Sequence, residues 1–161
     1  MVLKPMALID QAIDGLKSKS IPQPRIVPPP TPAQIAEAEA ALNFKFPPGF
    51  LVFLSLAGSY TLSYWETYWV GDESLDWRNI IKANMSERND VEPALPEFLV
   101  TFHNNGCGDQ LCFDTRKPDE AGEYPIVFWD HERTEEENLQ NLASVANSFA
   151  EWLMEEVAAK S

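Results

Sequence analysis

Long apolar stretches are missing from this sequence, and that limits where the chain can sit. No run approaches the roughly 20 residues that a membrane-spanning helix needs. The first residues also lack the charged start, unbroken apolar block and small-residue cleavage site of a secretory leader. A cytoplasmic protein is expected. Cysteine is nearly as scarce, with Cys107 and Cys112 alone. Two are too few for a disulfide framework, and in a reducing compartment both should be thiols. Basic side chains are outnumbered, 12 Lys and Arg against 25 Asp and Glu, which leaves a formal charge of -13. Such a field repels phosphate backbones and anionic lipid, so neither nucleic acid nor a membrane is expected as a partner. It would draw in a basic protein, although acidity of this kind also serves plain solubility. Internal repeats are absent as well, and 161 residues suit one domain with a real core.

Apolar and aromatic residues are plentiful, with nine Phe and five Trp to anchor that core. The stretch around which the rest is arranged runs over residues 104–132. Asn105-Gly106 and Gly108 tolerate positive φ, so a strand at residues 98–103 can turn back into one at 110–114. A charged loop holding Pro118 and Gly122 then leads to a third apolar run at 125–130, making a meander. Ahead of it, residues 5–19 place Leu8, Ile9, Ala12, Ile13 and Leu16 at helical spacing, and five prolines in 20–31 predict an extended arm. Residues 1–30 are therefore set apart as a helix and proline-rich arm, and 31–161 as the single α+β domain. Thr31-Pro32-Ala33-Gln34 has the form of a capping box before an Ile35, Ala38, Leu42 stripe. Pro47-Pro48-Gly49 opens a second helix bearing Phe50, Leu51, Phe53, Leu54 and Ala57 and ending at Gly58. The aromatics of 59–70 predict short strands turning near Glu66-Thr67. Ser74 among acids predicts the start of a helix through Trp77, Ile80 and Ile81, and 85–97 reads as a loop. Glu132, Glu135, Glu136 and Glu137 read as a solvated run, before a last helix that puts Val145, Phe149, Trp152, Leu153 and Val157 on one face.

Reaction chemistry finds little support in these residues. Cys107, Cys112, His103 and His131 invite a thiolate nucleophile or a zinc site, yet Cys112 sits between Leu111 and Phe113, where a buried thiol is the ordinary outcome. Their spacing also lacks the tight Cys pairs of a structural zinc site. Asp109 and Asp114 fall on opposite sides of a regular strand, so they make no acid/base pair. Gly106-Cys107-Gly108 precedes a strand, whereas a phosphate-binding loop opens a helix. No enzyme, metal or cofactor is expected.

The order of motifs nevertheless resembles a known family. The capping box at Thr31 and the Phe46-Pro47-Pro48-Gly49-Phe50 start resemble the opening of the SUKH superfamily, the Smi/Knr-like proteins. Asn105-Gly106-Cys107-Gly108-Asp109, Cys112-Phe113-Asp114, the proline-led run from Pro125 and the closing Ser148-Phe149-Ala150-Glu151-Trp152-Leu153 are similar to its later motifs, in the same order. That resemblance implies an α+β fold, a mainly antiparallel sheet with helices packed against it. It implies a binding protein with no catalytic residues to carry over. Many members are bacterial immunity proteins, so the expected partner is a cognate secreted toxin, blocked by steric occlusion and basic if it is a nuclease. The alternative is a regulatory or scaffolding module of the same fold. Acids Asp72, Glu73 and Asp76, with Trp65, Trp69 and Trp77 as aromatic anchors, are the residues expected to meet the partner.

Overall fold

The computed structural model describes residues 7–21, 27–57, 60, 66–71 and 78–159. Three helices come first. In α1 (Leu8–Lys19) the side chains of Ala12, Ile13 and Leu16 are buried, as their spacing predicts, while Leu8 at its start is exposed. The helix α2 (Pro32–Leu42) begins on a complete capping box. Thr31 Oγ1 accepts from Gln34 N at 3.1 Å and Gln34 Oε1 accepts from Thr31 N at 2.9 Å, so two otherwise orphaned donors are satisfied. It stops at Asn43, whose φ of 53° turns the chain out of the helix. Next, α3 (Pro48–Leu56) starts against a carboxylate from far along the chain: Gly49 N donates to Glu123 Oε2 at 2.7 Å. A negative group at a helix N-terminus meets both free N–H groups and the favourable end of the dipole.

Five strands make one antiparallel sheet in chain order, β1 (Glu66–Thr67), β2 (Leu99–Asn104), β3 (Gln110–Asp114), β4 (Ile126–Trp129) and β5 (Ser144–Ala146). The central meander follows the sequence reading closely. Leu99 faces Asp114, Asn104 faces Gln110, and Gln110 faces Trp129, with a bulge in β2 between Thr101 and His103. Gly106 and Gly108 have φ of 81° and 99° in the turn, the region that glycine enters without cost from a Cβ. Between β1 and β2 lies α4 (Ile80–Asn89), and β5 is flanked by α5 (Glu135–Gln140) and α6 (Phe149–Ala159).

Alternation along the strands divides two buried layers. Val100, Phe102, Leu111, Phe113 and Ile126 point into the larger one, with α1, α3 and α6, where Phe102 and Phe113 stack at 4.4 Å and Trp152 meets Phe102 edge-on at 4.9 Å. Leu99, Cys112, Val127 and Trp129 point the other way and are closed off by Leu95. Strands covered on both faces read as unbroken apolar runs, which is why β3 and β4 show so little polar alternation. The result is an α+β fold with helices packed on a mainly antiparallel sheet. Helix α1 lies against α6, where Lys19 Nζ donates to Val157 O at 2.9 Å, and its apolar residues belong to the larger core.

Four local expectations are corrected. Glu66 and Thr67 are not a turn; they pair with Asn104 and His103 as strand β1. Ile80 and Ile81 open a helix, α4, that is capped by Asn79, whose side chain accepts from Lys82 N at 3.0 Å, while Ser74, the expected start, lies outside the described residues. That helix runs on to Asn89, through residues read as loop, because Asn84 finds buried partners in Ile80 O and Thr101. Val145 is in β5 and 45% exposed, so the last helix takes its apolar face from Phe149, Trp152, Leu153 and Val157 alone.

Candidate functional site

Of the six residues expected to contact a partner, only Trp69 falls among the described ones. It is 1% exposed, its ring meets Phe53 edge-on at 6.1 Å, and its carbonyl accepts from Ile80 N at 2.9 Å. A side chain so placed anchors the core and cannot anchor a partner without unfolding. Trp65, Asp72, Glu73, Asp76 and Trp77 lie outside the described residues.

Polar side chains gather instead at one end of the sheet, where the β2–β3 turn meets the chain leaving β4. Asn105 organises the turn: its Oδ1 accepts from Cys107 N at 2.9 Å and Asp109 N at 3.2 Å, and its Nδ2 donates to Asp109 Oδ2 at 2.9 Å. Asp109 Oδ1 then takes the backbone N of His131 at 3.1 Å and its Nδ1 at 2.7 Å. Gly108 permits this approach, since a Cβ there would come within 3.0 Å of the His131 ring. Burial works to raise the Asp109 pKa, but the hydrogen bonds from Asn105 and His131 outweigh it and hold the carboxyl below its ordinary value. The bond to Asp109 chiefly raises that of His131. Asp109, Asp130 and His131 each bring one metal-ligating atom within 4.8 Å of the others. Those atoms are already engaged, Asp109 by Asn105 and His131, and Asp130 by Glu132 N at 2.9 Å and Arg133 at 3.4 Å, so the group acts as an internal clasp.

Burial takes Cys112 out of the candidate nucleophiles. Cys112 is fully buried in the smaller core layer, where burial pushes its thiol pKa up, while Cys107 is exposed on the turn. His103 is buried with Nδ1 3.1 Å from Thr67 Oγ1 and its ring 4.8 Å from Trp152, in the layer that faces α6. A polar network that the sequence reading missed threads the sheet nearby. Tyr68 OH and Thr101 Oγ1 both donate to Gln110 Oε1, at 2.9 and 2.7 Å, and Gln110 Nε2 donates to Glu87 Oε1 at 2.9 Å. Burial pushes the Glu87 pKa up. The available signal was a Thr flanked by Val100 and Phe102 in β2 and a Gln opening the apolar run of β3.

Beyond the clasp, the acidic run takes the form of α5. Thr134 caps it by accepting from Glu137 N at 3.1 Å, and three glutamates fill its first turn, where the dipole favours them. From His131 to Gln140 every residue is exposed except Asn138. That side chain pins the helix: its Oδ1 accepts from Asp130 N and its Nδ2 donates to Asp130 O, both at 2.9 Å. Thr134, Glu135, Glu136, Leu139 and Gln140 share one open patch of this helix's surface.

A family model described as SMI1-KNR4 cell-wall, SUKH_5, matches residues 9–158. The chain belongs to the SMI1-KNR4 family. A crystal structure of a protein from Pseudomonas syringae pv. tomato has the same SMI1-KNR4 fold as this chain, with a TM-score of 0.65 at 19% identity, over 89% of this chain and 93% of that one. No curated protein matches. Within this SMI1-KNR4 domain the motifs behind the resemblance are determinants of the fold. The Phe46-Pro47-Pro48-Gly49 opening sets α3 against Glu123, and Asp109 ties the turn to His131. Asp114 accepts from Arg116 Nε and Nη2, both at 3.0 Å, and Ser148 Oγ accepts from Glu151 N at 3.2 Å to start α6. Among the described residues, no helix is long and apolar enough to cross a membrane.

Proposed function

We propose that this chain is an immunity protein that acts in the cytoplasm, binding a cognate secreted toxin domain and neutralising it by covering its active surface. Membership of the SMI1-KNR4 family over residues 9–158 carries this reading, since many Smi/Knr-like proteins resemble one another in that role. The charge of -13 adds to it. A toxin that cuts nucleic acid must be basic to hold its substrate, and an acidic inhibitor imitates that polyanion and is steered toward it. The mechanism asks for no reaction: occupation of the toxin's surface suffices.

Co-expression tests the proposal. A candidate effector domain taken from the genes that neighbour this one is induced with and without the chain, and growth is scored. Restored growth together with a complex that purifies intact is the expected result. Cells left unprotected by the wild-type chain, or protected through conversion of a small molecule, would remove the immunity reading.

A further inference from the structure

Helix α5 departs from the pattern of the other helices, because it buries no apolar side chain. Asn138 is its one buried residue, and that residue is held by hydrogen bonds to Asp130 and to Thr134 O. A pin of this kind fixes the helix without using its faces. Leu139 is 41% exposed, one helical turn from both Glu135 and Glu136, and the three share an open surface patch with Thr134 and Gln140. An apolar side chain framed by carboxylates is the arrangement of an interface centre with a polar rim.

Charge decides what fits there. Asp130, Glu132, Glu135, Glu136 and Glu137 lie on this stretch against one arginine, Arg133, which pairs with Asp130 at 3.4 Å. A neutral or acidic partner would have to desolvate these carboxylates without compensation, whereas ammonium or guanidinium groups compensate them. We propose that the Glu135–Glu136–Leu139 face of α5 is a docking surface for a Lys/Arg-rich segment of a protein partner, its basic groups flanking one apolar side chain that covers Leu139. The assignment rests on the reading above that the partner is a basic protein, and it moves the expected contact to the glutamate run of α5.

The test uses the full chain and a synthetic helical peptide with a lysine one turn either side of a central leucine. Amide chemical shifts should move at residues 134–140. Affinity should fall by about tenfold or more in the Glu135→Gln/Glu136→Gln pair and in Leu139→Ala. The Asn138 side-chain amide signals report that α5 stays pinned in each variant. Glu92→Gln/Glu120→Gln removes the same charge from exposed sites elsewhere and should leave affinity near wild type. Equal losses in the two Gln pairs, shifts centred away from α5, or no binding would each overturn the docking surface. The toxin assay separates this idea from the one beneath it. If the wild-type chain protects and the triple variant of residues 135, 136 and 139 protects equally, the surface is wrong and immunity stands. If the wild-type chain fails to protect while the peptide still docks selectively on α5, immunity falls and the surface stands.

Discussion

At Asp114 a carboxylate with 4% of its side chain exposed meets the Arg116 guanidinium through both oxygens, and the same guanidinium lies 3.9 Å from the centre of the Phe98 ring. Burial works to raise its pKa, but the hydrogen bonds and charge of Arg116 win and hold the carboxyl below its ordinary value. The unfolded chain therefore binds this proton more readily than the folded one. The stability it contributes is present above about pH 4, the ordinary carboxylate value, and is lost as pH falls through the lower folded value. Asp114→Asn should cost about 1–3 kcal/mol in denaturant unfolding near neutral pH. The gap from wild type should close as the series is carried below about pH 4; a gap that stays constant to low pH would contradict this account. Single residues were unevenly legible in the sequence. Cys112 could be placed because its neighbours Leu111 and Phe113 say what surrounds it. Trp69 could not, since a row of aromatics gives no indication of which ring turns inward until Phe53 and Ile80 are seen to close on it.

Among the elements, α1 meets α6 at Gly15, where a Cβ would lie 2.9 Å from Val157 Cγ1. Alanine is the better helix former by about 1 kcal/mol, yet glycine here lets two backbones come together. Gly15→Ala should lower the thermal midpoint despite that propensity, and Gly15→Leu should cost about 1–3 kcal/mol through overpacking. Val157→Ala in the same chain should return part of the Gly15→Ala loss, a non-additive pair that calorimetry can measure. Elements written in local chemistry were readable in advance: the capping box of α2, the glycine turn, the meander. Those set by distant partners were not. β1 has two residues and exists because β2 supplies its hydrogen bonds, and α4 persists to Asn89 because Asn84 reaches Thr101. β5 borrows its register from β4, so Val145 was assigned to the wrong element.

For the molecule as a whole, an excess of negative charge opposes compaction, and salt screens it over a Debye length of about 10 Å at 0.1 M. The thermal midpoint should rise modestly from low to moderate sodium chloride, while affinity for a basic partner should fall over the same range. Opposite salt trends in one protein would separate self-repulsion from recognition; parallel trends would count against electrostatic steering. The whole-molecule reading was accessible because the motif order spans most of the chain, whereas the exposed face of α5 was not. Nothing in a glutamate run says that asparagine, rather than leucine, holds the helix down.

The contact between α1 and α6 joins two helices at opposite ends of the described residues. Until α6 has been synthesised, Ala12, Ile13 and Leu16 lack the surface they are shaped for, and Lys19 has no Val157 carbonyl to meet. A nascent chain that stops short of α6 is thus left with an unsealed seam, open to chaperones and proteases.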